Sequence, residues 1–164
     1  MKINENFVFP VYIYEQTLEE IKFLCKKSES EIFGYFIGNI LNWNGKIYTL
    51  IEESLFLLGA IYSDKFYTGQ IEGTAGLYQR KFQRIKKKRK NENLRIIGWW
   101  HSHPDLGCFL SSTDLLTQKY FFNKPYQVAL VIDPVRDEFE FFSIDTNSKK
   151  GYKSLSYAVL KKLV

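Results

Sequence analysis

The stretch Gly98-Trp99-Trp100-His101-Ser102-His103-Pro104-Asp105-Leu106-Gly107-Cys108-Phe109-Leu110-Ser111-Ser112-Thr113-Asp114 decides how the rest of the chain is read. The apolar run from Leu94 to Trp100 predicts a strand that ends at two histidines. Side chains at i and i+2 of a strand share a face, so His101 and His103 can address one point. Pro104 then removes a ladder donor and turns the chain away. Ser111-Ser112-Thr113-Asp114, followed by Leu115, Leu116 and Tyr120 at helical spacing, predicts a helix with Asp114 in its first turn. Two imidazoles and a carboxylate make a three-ligand site with one open position, the arrangement catalytic zinc uses. Plainer readings account for the same residues. A His pair at this spacing is commonly a surface or hydrogen-bonded pair, and Ser111-x-x-Asp114 is also a capping box. His101 and His103 are the only histidines in the chain, which argues against an incidental pairing.

Upstream, residues 7–14 read as a short extended segment that Pro10 confines to an edge or bend. Thr17-Leu18-Glu19-Glu20 reads as a capping box opening a helix, with Leu18, Ile21, Leu24 and Cys25 inward and Lys26 and Lys27 in its last turn. Glu31 precedes the apolar run Ile32–Ile40, and Asn44-Gly45 predicts a hairpin turn into Lys46–Glu53. Gly34 and Gly38 within that run predict close approach of another backbone. Residues 54–73 read as a strand with a glycine-flanked loop. Thr74–Lys90 reads as a helix with Leu77, Tyr78, Phe82 and Ile85 inward. Beyond the histidine stretch, Gln127–Asp133 and Glu138–Ile144 read as two strands joined through Pro134. Tyr152–Val164 combines strand-like alternation with a helical-looking end. Cys25 and Cys108 read as packing residues; two cysteines make no disulfide framework, and a reducing cytoplasm is the expected location.

Three stretches carry a resemblance to a known family. His101-x-His103-Pro104, six residues, then Ser111-x-x-Asp114 resembles the signature of the JAMM (MPN-plus) metalloproteases. The likeness extends through Gly98-Trp99-Trp100, Gly107-Cys108-Phe109-Leu110 and Thr117-Gln118. These words occur in the deubiquitinase of the proteasome lid and the isopeptidase of the signalosome. Glu31-Ile32-Phe33-Gly34-Tyr35-Phe36-Ile37-Gly38 fits the family's upstream Glu-x-x-Gly-x-x-x-Gly form; Glu29 lacks that glycine spacing. Val128-Ala129-Leu130-Val131-Ile132-Asp133-Pro134-Val135-Arg136 resembles the strand after the active-site helix.

The resemblance implies an α+β domain, a mixed β-sheet flanked by helices in the JAMM/MPN (cytidine-deaminase-like) fold, with residues 1–164 forming a single catalytic domain. It implies one Zn2+ per chain, held by His101, His103 and Asp114 with a bound water. Glu31 would be the general base and Ser111 the hydroxyl that donates to the oxyanion. The implied reaction is peptide or isopeptide hydrolysis at the C-terminus of ubiquitin or a ubiquitin-like protein, whose tail could add as a strand to a sheet edge beside the site. Trp100 stands where close eukaryotic relatives carry Tyr, and Asp105 where they carry Gly. A bare catalytic domain looks more like the stand-alone bacterial members, including those found with conjugation enzymes in antiviral operons. Processing of ubiquitin-like sulfur carriers shares the same chemistry. A non-catalytic MPN scaffold is the rival of another class.

Composition limits the remaining classes. At 164 residues, 45% hydrophobic and 17% aromatic, the chain can bury one substantial core. No apolar run is long enough to span a membrane, and no signal peptide pattern is read at the N-terminus. Residues 80–90 hold eight of the 23 basic residues and no acid, leaving 15 basic against 18 acidic elsewhere. Such a run suits phosphate backbones or an acidic partner, although a solvated helix end explains it more simply. No aromatic platform is interleaved with it, so nucleic acid is the disfavoured partner.

Overall fold

A computed structural model describes residues 7–57 and 67–162, with side chains in the second part described from residue 76. The chain runs β1 (Val11–Tyr14), α1 (Glu15–Lys26), β2 (Phe33–Trp43), β3 (Lys46–Leu55), α2 (Tyr67–Arg89), β4 (Arg95–Ser102), α3 (Ser112–Phe121), β5 (Val128–Asp133), β6 (Glu138–Ile144), β7 (Tyr152–Leu155) and β8 (Tyr157–Leu160). Among the described residues these eight strands form one sheet, in the order β7-β6-β5-β4-β2-β3-β1-β8. The pairs β1/β3, β1/β8 and β4/β5 are parallel and the rest antiparallel, so the sheet is mixed as expected.

The sheet separates two cores. On one face α1 contributes Leu18, Ile21 and Cys25 to a cluster with Phe36, Ile97, Trp100, Leu130 and Phe141. On the other, Tyr78 and Phe82 of α2 pack with Phe33, Tyr35, Trp99, Val131 and Phe142. A bulge decides which β4 side chain meets which face. Phe36 pairs Gly98 while Ile37 pairs Ile96, so Ile97 is an extra residue on β4. That insertion inverts the alternation: Ile97 faces the α1 side, and Trp99 and His101 face the α2 side. The sheet also curls strongly. Its two edge strands, β7 and β8, are separated in sequence by Ser156 alone. Tyr157 of β8 rests on Phe139 and Phe141 of β6, with ring centroids 5.3 Å apart.

The glycines behave as anticipated. A Cβ on Gly38 would lie 1.9 Å from the Leu50 carbonyl oxygen, and one on Gly34 2.6 Å from the Trp100 ring. Asn44 and Gly45, with φ of 49° and 81°, make the hairpin turn between β2 and β3.

Several local expectations are corrected. Helix α1 begins at Glu15, and its N-cap Tyr14 makes no side-chain cap. Thr17 is not a cap: its hydroxyl is buried and donates to the Glu52 carbonyl at 2.7 Å, tying α1 to β3. Helix α2 begins at Tyr67, so 54–73 divides into the end of β3 and the first turns of α2, its middle lying outside the described residues. Leu77 is 49% exposed, because Tyr78, Phe82 and Ile85 define the inward stripe at i, i+4 and i+7 and Leu77 lies off it. The C-terminal ambiguity resolves into β7 and β8.

Candidate metal centre

Strand β4 delivers His101, and His103 follows one residue beyond its end. The backbone N–H of His103 donates to the Ile132 carbonyl at 2.8 Å, holding this exit against β5. Asp114 arrives from the first turn of α3. Ser111 is the N-cap: its Oγ accepts from the Asp114 N–H at 3.2 Å, and the Ser111 N–H donates to Asp114 Oδ2 at 2.7 Å. The capping-box reading and the metal reading of Ser111-x-x-Asp114 therefore describe one arrangement, in which the cap fixes the carboxylate.

His101, His103 and Asp114 are all buried. Their donor atoms form a near-equilateral triangle: Nε2 to Nε2 is 3.1 Å, and each Nε2 lies 3.3 Å from Asp114 Oδ2. A four-coordinate ion with bonds of about 2.0–2.1 Å holds its donors about 3.3 Å apart. One proton can bridge only one of the three pairs, whereas a cation at the centre satisfies all three donors. The residues thus fit a metal ion, and they make a group that could hold one. Burial holds the His101 imidazole below its usual pKa, favouring the neutral, ligand-competent form, although Asp114 opposes the shift. Burial acts the same way on His103, but Asp114, Glu31 and the Gly107 carbonyl outweigh it and hold its pKa up.

Glu31 lies just before β2, half-buried. Phe33 pairs His101, while Ile32 and Ser102 exchange backbone and side-chain hydrogen bonds at 3.0 Å. The same register places Glu31 across from His103, whose charge it favours.

A supporting shell surrounds the triangle. His103 Nδ1 lies 3.2 Å from the Gly107 carbonyl oxygen, a contact that leaves Nε2 for the cluster. Trp99 stacks on His101 at 4.3 Å, and its Nε1–H donates to Gln118 Oε1 at 2.7 Å. Gln118 in turn donates to the carbonyls of Phe122 and Gln127. The helix forms where expected, with Asp114 in its first turn, but the residues it buries are Asp114, Thr117 and Gln118, while Leu116 and Tyr120 are exposed. The helix is turned by what it holds at the site.

Two residues escape a reading of the sequence. Ser102, to which no role is assigned there, accepts the Ile32 N–H and so aligns the segment carrying Glu31. Asp133 accepts from the backbone N–H groups of Asp105, Gly107, Val135 and Arg136, pinning the loop between His103 and Cys108 to the β5–β6 turn. The signal for Asp133 is a carboxylate ending a fully apolar strand just before Pro134. Asp105 sits at φ 59°, where Gly is the easier residue, and Arg136 secures it through its Oδ1 and carbonyl. Cys25 and Cys108 behave as packing residues: burial pushes their thiols up to about 12 and about 11. Among the described residues β4 is paired on both sides, by β2 and β5, the end strands of the sheet are β7 and β8, and the β2–β3 ladder stops at Tyr35–Leu55 while β2–β4 continues to Phe33–His101.

Comparison with known proteins agrees with this geometry. Residues 16–124 match the family model described as JAB1/Mov34/MPN/PAD-1 ubiquitin protease. The chain is 31% identical over 121 residues to COP9 signalosome complex subunit 5 of Candida glabrata, covering 69% of this chain and 24% of that protein. It is 37% identical over 67 residues to the ubiquitin carboxyl-terminal hydrolase RPN11 of Saccharomyces cerevisiae, covering 40% and 22%. The chain thus spans about a quarter of the length of these curated relatives. Among solved structures, protein DSY2949 of Desulfitobacterium hafniense superposes with a TM-score of 0.60 at 18% identity, over 93% of this chain and 94% of that one, a likeness of fold alone. With its matched region holding β2, β4, α3 and all three buried donor residues, the chain belongs to the JAB1/Mov34/MPN/PAD-1 family.

Proposed function

We propose that residues 1–164 form a zinc-dependent isopeptidase or peptidase that cleaves after the C-terminus of ubiquitin or a ubiquitin-like protein. The observation that carries this reading is the triangle of buried donors at 3.1–3.3 Å, with a carboxylate poised across the strand pair. Relatives whose names include a signalosome subunit and a ubiquitin carboxyl-terminal hydrolase support the substrate class. Ubiquitin-like conjugates and the enzymes that make them are the proposed partners, in the cytoplasm; among the described residues no helix is long and apolar enough to cross a membrane. Processing of a ubiquitin-like sulfur carrier uses the same residues, and a role in bacterial antiviral conjugation stands as a narrower form of the proposal.

His101, His103 and Asp114 would hold the ion. Bound zinc polarises a carbonyl and brings the pKa of water to about 7. Glu31 takes a proton from the attacking water and returns it to the leaving amine. Ser111 uses a lone pair of Oγ in the cap, which leaves its O–H to donate to the developing oxyanion. Gln118 and Trp99 hold the His101 ring, and Gly107 holds His103. The test is cleavage of a linear ubiquitin-like fusion. Glu31→Gln should retain zinc and lose turnover by at least about 10²-fold. An active variant would hand the proton transfer to another residue.

A further inference from the structure

Ser102 stands between the two histidines in sequence, is fully buried, and has no part in the chemistry set out above. Alternation along β4 sets it with Trp100 on the α1 face, whereas Trp99 and His101 stack on the α2 face. Its hydroxyl is therefore turned from the donor triangle. It acts on β2 instead.

Phe33 pairs His101, and one step further the Ser102 N–H donates to the Ile32 carbonyl at 3.0 Å. In an antiparallel ladder the second bond of such a pair runs from the Ile32 N–H to the Ser102 carbonyl. Here the Ile32 N–H donates to Ser102 Oγ, also at 3.0 Å. A side chain has taken the place of a main-chain acceptor just where β2 begins. Both residues are buried, so water has little access to replace the hydroxyl.

What this bond holds follows from the planarity of the peptide. The Ile32 N–H and the Glu31 carbonyl belong to one rigid group that also contains the Glu31 Cα. Ser102 Oγ thus sits one peptide plane from the residue that carries the carboxylate. Glu31 itself lies outside β2, which starts at Phe33, so the regular ladder does not hold it. In the chain Ser102 is bonded directly to His101 and His103. One buried residue therefore joins the segment of the proposed base to the segment of the proposed ligands.

Resting on the protease reading above, we propose that Ser102 is a positioning residue for Glu31. Its hydroxyl fixes the Glu31–Ile32 peptide and so keeps the carboxylate within reach of the attacking water. It touches neither substrate nor ion, and the affinity for zinc does not depend on it.

The test compares Ser102→Ala and Ser102→Thr, which keeps the hydroxyl, alone and combined with Glu31→Gln. Amide hydrogen exchange followed by NMR reads the bond without recourse to activity. Relative to the amides of β5, the Ile32 amide should exchange about tenfold faster or more in Ser102→Ala, and within about threefold of wild type in Ser102→Thr. Unchanged exchange in Ser102→Ala would overturn the proposal. On a linear ubiquitin-like fusion, Ser102→Ala should lower kcat by about 10–100-fold with KM within about twofold, and Ser102→Thr should restore most of the loss. Zinc affinity by chelator competition should stay within about threefold of wild type in both variants. A loss of zinc affinity as large as the loss of kcat would overturn the proposal by assigning Ser102 to the ligands. In the Glu31→Gln background Ser102→Ala should add less than about twofold, because the group it positions is already gone. The full loss in both backgrounds would show that it acts by another route. A wild-type chain that binds zinc and cleaves no such fusion would count against the protease reading and the base role with it, while the exchange result would still decide whether Ser102 holds the Glu31 peptide.

Discussion

At Asp133 four backbone N–H groups converge on one buried carboxylate that touches neither histidine. Burial alone would raise its pKa, but the N–H groups of Gly107, Arg136, Asp105 and Val135 outweigh that and hold it below the usual carboxylate range. A depressed folded-state pKa contributes stability above the unfolded value of about 3.9, and that contribution is lost as pH falls toward the folded value. Asp133→Asn should therefore flatten the decline of stability below about pH 4, measured by urea unfolding across pH. Because Gly107 also holds His103, the same variant should weaken zinc binding by roughly 10–100-fold in a competitive chelator titration. An unchanged zinc affinity would detach this loop from the metal centre.

Helix α3 shows why an element can be legible in place and illegible in orientation. Its start follows from Ser111-x-x-Asp114, and its extent from the residues after it. Its apolar residues mislead, because Leu116 and Tyr120 are exposed while Thr117 and Gln118 are buried. Gln118 fills three hydrogen bonds at once, and no periodicity of hydrophobic residues announces that. Thr17 is a similar case: a local capping pattern gave way to a tertiary bond to Glu52. Gln118→Ala should destabilise the fold by about 2–3 kcal/mol, since it leaves the buried Trp99 N–H and two carbonyls without this partner. Denaturant titration checks this, and a change under about 0.5 kcal/mol would mean that water takes over the role. By contrast, the hairpin at Asn44-Gly45 was readable from turn chemistry, and β4, which carries His101, from its apolar run. Glu31 was readable only through the family pattern, because its approach to His103 depends on a β2/β4 register that spans about seventy residues of chain.

Across the whole molecule, one curled sheet sets the distances at the site. β4 lies between antiparallel β2 and parallel β5, so Glu31, His101 and His103 are placed by strand register. Gly98 lets β4 approach β5 closely: a Cβ there would lie 2.1 Å from the Val128 carbonyl oxygen. Gly98→Ala should therefore force these strands apart and abolish soluble folded protein, or lower the melting temperature by more than about 10 °C. A variant with wild-type melting would show that the β4–β5 contact yields easily. The bulge at Ile97 and the meeting of sheet edges around Ser156 arise from long-range packing, and no local signal marks either. The family signature located the centre; the sheet explains its spacing.

Zinc-edge X-ray absorption on the purified chain tests the central claim most directly. The account predicts about one zinc per chain, a first shell of nitrogen and oxygen alone at about 2.0–2.1 Å with scattering from two imidazoles, and loss of that signal in His101→Ala. A sulfur contact at about 2.3 Å, which would bring in Cys108, or full zinc occupancy in the variant, would contradict it.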